Sequence, residues 1–307
     1  MAKVQARNVD DSLYLLIEQS AMKHERSVEG EIRIALREYY TPPANELPLL
    51  TMREHWQQQT GKRLQWLLDR LLEDGFFGWP YKDHPAGIKE FVRAACYLGT
   101  TPGVLMDIKE GQCEMTFDLA EKITKQFSVS NNWLLTGEDS PFEVTRISSV
   151  DYSKFFIPDN KANYTFEFIR ICEGLHTGSL LILRKNKDTG HISMGFVNSF
   201  YLKSGMGSGG HSALTDFFIF LKTKGTHLTK NTYDFTPPEQ DFDWWSVIGQ
   251  HHPIWFQNAN HRSAANWLQT ILTGNDPDNW FTGWKKDLET IRDTPYGEAG
   301  IKNNEII

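Results

Sequence analysis

Polar and apolar side chains alternate at the start of the chain. Lys3, Gln5 and Arg7 interleave with Val4 and Ala6 and lead, past Asn8, to Val9, the two-residue period of a strand with one polar and one apolar face. After Asp10 and Asp11, which offer N-capping carboxylates, the period becomes helical, with Leu13, Leu16, Ile17 and Ala21 on one side. Ser27 is placed to cap a second helix, VEGEIRIALREYY, whose Val28, Ile32, Ala35, Leu36 and Tyr39 form a stripe and which Pro42 and Pro43 end. Residues 41–51, around TPPANELPLL, have no periodic face and read as a linker. A long amphipathic helix is predicted from about Met52 to Asp74, with Trp56, Leu64, Leu67, Leu68, Leu71 and Leu72 inward. From Gly87 the pattern resumes as short helices, the last of them NNWLLTGEDSPF, where Gly137 and Pro141 forbid continuation.

Past Phe142 the texture turns to β. YTFEFIRICEG, SLLILRKNK and HISMGFVNSFYLK read as strands, with Asp188-Thr189-Gly190 as a hairpin turn between the last two. Gly205 to Gly210 reads as a flexible loop, without the lysine and spacing of a phosphate loop. ALTDFFIFLKTKG suits a buried helix or a strand, DFDWWSVIG and PIWFQN read as strands, and HRSAANWLQTIL reads as a helix. The expected fold is therefore multidomain: a small β-ribbon arm (1–40) and an all-α helix-turn-helix domain (52–142) in the N-terminal half, then an α+β domain (150–307).

Composition narrows the function classes. At 307 residues the chain is long for one core, and its net charge of −7 argues against indiscriminate polyanion binding. No run of about 18 apolar residues occurs and the first residues lack a signal-type apolar stretch, so no membrane partner and a cytoplasmic location are expected. Cys96, Cys113 and Cys172 are far apart and form no metal or redox pair, so neither a metal site nor a cofactor is expected.

The first forty residues resemble the ribbon-helix-helix family of Arc and MetJ type. The best local match is ERSVEGEI, similar to the family's G-R-S-x-x-x-E-I, with Glu25 standing in the place of the turn glycine. The resemblance implies a homodimer whose paired strands enter the major groove, with Lys3, Gln5 and Arg7 facing base edges and Ser27 near a phosphate. The alternative is a hairpin that only dimerises. Residues 62–142 resemble the lambda-repressor-like helix-turn-helix family through Val129-Ser130 and the run Trp133 to Glu138. That resemblance places the turn at Leu98 to Pro102 and the recognition helix at Thr101 to Lys109, exposing Thr100, Thr101, Asp107, Lys109 and Gln112. Gly87 and Ile88 stand where the family usually carries a serine-glutamine pair, and residues 52–142 hold ten basic against thirteen acidic side chains. A helical domain kept for dimerisation or docking is the alternative there.

In the C-terminal half, His251, His252 and His261, near Asp241 and Asp243, are the candidates for a catalytic role, since imidazoles titrate near neutral pH. Their spacing matches no ligand pattern, and surface or structural roles remain open. Trp244, Trp245, Trp255, Trp267, Trp280 and Trp284 suit either an aromatic pocket or core anchors. Two functions follow as expectations. One is a sequence-specific DNA-binding homodimeric transcriptional regulator of phage or mobile-element type. The other is an effector of an anti-phage or toxin-antitoxin system, whose N-terminal modules bind a protein or nucleoprotein partner while the C-terminal domain acts.

Overall fold

The computed structural model describes residues 8–40, 50–78, 84–158 and 163–298. The expected strand with Lys3, Gln5 and Arg7, and most of the linker, lie outside the described residues. The chain divides into two compact units, Met1–His55 and Trp56–Ile307.

The first unit contains a helical hairpin, α1 (Asp11–Lys23) and α2 (Val28–Tyr40). Asp10 caps α1 by accepting from the Ser12 N–H at 2.8 Å, and the Ser27 hydroxyl accepts from the Gly30 N–H at 3.1 Å at the start of α2. Glu31 closes the hairpin: it accepts from Ser20 Oγ at 2.7 Å, meets His24 Nδ1 at 2.9 Å and pairs with Arg26 at 3.4 Å. The Ser20 and His24 bonds hold its carboxyl below the usual carboxylate range. Glu25 makes the turn at φ 53°, the left-handed region in which glycine is favoured.

The second unit has a helical layer and a six-stranded mixed sheet. The helices are α3 (Met52–Glu73), α4 (Ile88–Leu98), α5 (Pro102–Lys109), α6 (Phe117–Phe127) and α7 (Asn131–Thr136). Apolar side chains at helical spacing, Leu64, Leu67, Leu68 and Leu71 of α3 foremost, close a core with Phe91, Leu105, Ile123, Phe127 and Trp133. The run NNWLLT is the short helix α7: Ser130 Oγ accepts from the Trp133 N–H at 3.3 Å, Trp133 and Leu134 are buried, and Gly137 ends it at φ 84°.

The remaining elements are β1 (Val144–Ile147), α8 (Tyr152–Phe156), β2 (Tyr164–Ile171), β3 (Leu180–Asn186), β4 (Ile192–Val197), α9 (Ser208–Thr223), β5 (Thr229–Phe235), β6 (Arg262–Ala264), α10 (Trp267–Leu272) and α11 (Lys285–Asp293). The strand order is β1-β4-β3-β2-β5-β6, with β1–β4 and β2–β5 parallel and the other pairs antiparallel. Side chains alternate between faces. Phe166, Phe168, Leu180 and Ile182 meet the helices α8 to α11 on one side, while Ile169, Ile171, Leu181 and Leu183 pack on Trp244, Val247 and Phe256 on the other. A sheet covered on both faces explains the unbroken apolar run of β3.

Of the two forms open to ALTDFFIFLKTKG it takes the helix, in α9 as far as Thr223. Other expectations are corrected. DFDWWSVIG and PIWFQN are not strands: they contain the 3-10 turns Trp244–Ser246 and Pro253–Gln257. Asp243 Oδ1 accepts from the Trp245 N–H at 3.0 Å and His252 Nδ1 from the Ile254 N–H at 3.1 Å, and Pro253 has no N–H for a ladder. These local bonds compete with strand pairing. HRSAANWLQTIL begins as β6, because Arg262 to Ala264 pair with the open side of β5, and the helix starts only at Trp267.

Candidate functional site

Helix α4 ends at Gly99, whose φ of 62° lets the Thr100 N–H reach back to the Ala95 carbonyl at 3.0 Å. Thr101 is extended and Pro102 opens α5, so residues 99–101 form a three-residue turn between two helices. α5 buries Leu105 and Ile108, and its C-terminal end lies against Gly61 of α3. A Cβ on Gly61 would collide with the carbonyl oxygens of Ile108 and Lys109. On the opposite face of α5, Thr101, Gly103, Val104, Asp107 and Lys109 are exposed and Thr100 is half-buried. The Thr101 side chain makes no capping bond. Lys109 reaches over the Phe91 ring at 5.9 Å, and the exposed Gln112 amide donates to Glu110 at 3.0 Å. Thr100 and Thr101 thus stand at the start of α5, and Lys109 and Gln112 at and just past its other end. Ser27, in the other unit, serves as the cap of α2.

His251 and His252 sit where the helical layer meets the sheet. His251 Nδ1 donates to Asp74 at 2.6 Å, and Arg70 donates to His251 Nε2 at 2.9 Å. The other Asp74 oxygen accepts from the His252 main-chain N–H at 2.6 Å. Burial raises the Asp74 carboxyl, with the His251 bond opposing. The His252 ring is only 1% exposed, edge-on to Phe76 and Phe142, and burial pushes it down to about 3. It is therefore neutral at physiological pH and packs as part of the joint. His261 does not converge on this pair: the Trp255 and Phe235 rings stand between them, at 5.8 Å from His251 and 6.0 Å from His261 respectively. The six tryptophans do not share one pocket either. Trp244 and Trp255 belong to one core, and Trp267, Trp280 and Trp284 to the other. No group of His, Cys, Asp or Glu among the described residues is arranged to hold a metal ion. No helix among them is long and apolar enough to cross a membrane.

Sequence reasoning did not single out three groups that the fold assembles. Asp74 and Arg70 meet His251 across more than half the chain, so no local pattern signals them. Arg170 lies 4.4 Å over Trp280, donates to the Leu202 carbonyl at 3.2 Å and approaches Asp234 at 3.5 Å. Burial raises the Asp234 carboxyl, while Arg170 opposes. Lys230 lines a cavity beside α9 and α10; a lysine in a polar strand gives no warning of this. No protein-family model matches the chain, and no curated protein or solved structure shows significant similarity to it.

Proposed function

We propose that the chain is a homodimeric, sequence-specific DNA-binding transcriptional regulator of phage or mobile-element type, with a β-ribbon arm, a repressor-like helix-turn-helix and an α+β domain for sensing or assembly. The observation that carries this reading is the α4–turn–α5 pair, whose second helix is held by its inner face and leaves its outer face uncovered. The exposed start of α5 suits a phosphate, because first-turn N–H groups lack intrahelical partners. Thr100 and Thr101 flank that start, while Lys109 and Gln112 stand at the other end of the helix. On this reading Gln5, with Lys3 and Arg7, reads base edges, and the helical module adds backbone contacts.

The helical hairpin supports self-association. Leu13, Leu16, Ile17, Ile32, Ala35, Leu36 and Tyr39 line an apolar groove of about 660 Å³, and Ala21 is the single fully buried residue of α1 and α2. A pair of helices this short does not bury enough surface to be stable by itself. In the proposed dimer a second copy supplies the missing apolar surface.

Salt-dependent binding of the full chain to duplex DNA tests the assignment. Gln5→Ala should cost about 1–3 kcal/mol at one base position, and Lys109→Ala should lower the salt slope by about 1 with sequence preference kept. Loss of binding only in Lys109→Ala would move the readout to α5. One observation favours the effector reading: Asp107, Glu110, Glu114 and Asp118 are exposed on and just after α5, where carboxylates repel phosphates. Host growth arrest on expressing the full chain, abolished by His261→Ala in a folded protein, would support that reading instead.

A further inference from the structure

A cavity of about 340 Å³ opens beside the end of α9, the start of β5 and helix α10. Its volume is at the lower end of small-molecule pockets, which span roughly 300–1,000 Å³. Leu221, Leu228, Leu268 and Leu272 give it an apolar floor, and exposed Asn266, Gln269 and Tyr296 set its mouth. Among the described residues no acidic side chain lines it.

Into this cavity projects Lys230, half-buried on β5. Its Nζ donates to the Gly225 carbonyl, and among the described residues no carboxylate pairs with it. Burial pushes the ammonium down to about 8, so it still carries its charge at neutral pH. A desolvated cation with one carbonyl partner retains two N–H donors and a need for counter-charge. The neighbouring hydroxyls do not compete. Thr226 donates to the Lys222 carbonyl at 2.7 Å and Thr232 to the Ala265 carbonyl at 2.5 Å. Lys222 is itself committed, its Nζ donating to the carbonyls of Leu272, Ile291 and Arg292. The side-chain donors left to the cavity are Lys230, the amides of Asn266 and Gln269 and the Tyr296 hydroxyl.

We propose that this cavity binds small aliphatic monocarboxylates, the carboxylate on Lys230 and the amides of Asn266 and Gln269, the hydrocarbon chain on the leucine floor. One available cation matches one negative charge, and the leucines favour an alkyl chain over a second polar group. The inference does not rest on DNA binding, and its test needs no DNA.

Titration calorimetry of the full chain with sodium octanoate, octanamide and sodium acetate reads both halves of the site. Octanoate should bind saturably, about tenfold tighter than octanamide, and acetate more weakly than octanoate. Lys230→Gln should reduce octanoate to the level of octanamide, whereas Lys230→Arg should keep most of the affinity. In the unaltered protein, octanoate should slow acetylation of Lys230 by acetic anhydride, read by peptide mass spectrometry, which requires no variant to fold. Equal affinities for octanoate and octanamide, no saturable octanoate binding, or an unprotected Lys230 would each overturn the assignment.

Discussion

Glu25 sits in a left-handed turn that costs a side-chain-bearing residue about 1–2 kcal/mol relative to its ordinary conformations. Glu25→Gly removes that strain but adds unfolded-state entropy, so a net gain of about 0.5–1 kcal/mol is expected. Slower amide exchange across α1 and α2 would register it; faster exchange would mean that Glu25 contributes contacts the turn needs. His252 sets a pH dependence in the second unit. Its folded value is about 3 against an ordinary 6.5, so between those values the unfolded chain takes up a proton that the folded chain refuses. Its contribution is complete above pH 6.5 and falls as pH drops, with a limiting slope of about 1.4 kcal/mol per pH unit. The raised Asp74 carboxyl acts with the opposite sign at the acid end, because there the folded chain protonates first. His252→Asn keeps an acceptor for the Ile254 N–H and removes the titration. Urea midpoints of this variant should be flatter than those of the parent between about pH 6.5 and 5. Parallel profiles would show that another group titrates.

The hairpin α1–α2 is the element with least to hold it: Leu16 is 62% exposed and Tyr39 81%. If the chain dimerises as proposed, shortening it to begin at residue 45 should leave a monomer by light scattering. An unchanged mass would place self-association elsewhere. Elements with strong periodicity were legible in the sequence. The leucines of α3, the Gly137 stop of α7, and the apolar runs of β2, β3 and β4 each point to the structure they adopt. Others were not. β5, TKNTYDF, buries only Phe235 fully and is a strand because β2 pairs with it, a long-range cause that local composition does not carry. The segment around Trp244 and Trp255 has strand-like composition, yet Asp243 and His252 turn it through side-chain caps, and Pro253 has no N–H to pair. The candidate residues divide similarly. The α5 set was reached through the resemblance to the helix-turn-helix family, whereas the Asp74–His251 bond and the Lys230 cavity depend on which elements the fold brings together.

For the molecule as a whole, a net charge of −7 leaves little non-specific attraction to DNA. Binding by the proposed dimer comes from a few placed donors duplicated by two-fold symmetry, so it should be sequence-selective and steeply weakened by salt. A two-fold dimer reads two half-sites of opposite orientation. Selection of the full chain on a random pool of duplex DNA, followed by sequencing of the bound fraction, tests this most directly. Enrichment of an inverted repeat with fixed half-site spacing, lost in Gln5→Ala, is the predicted result. A bound fraction indistinguishable from the starting pool, at low as well as physiological salt, would contradict it.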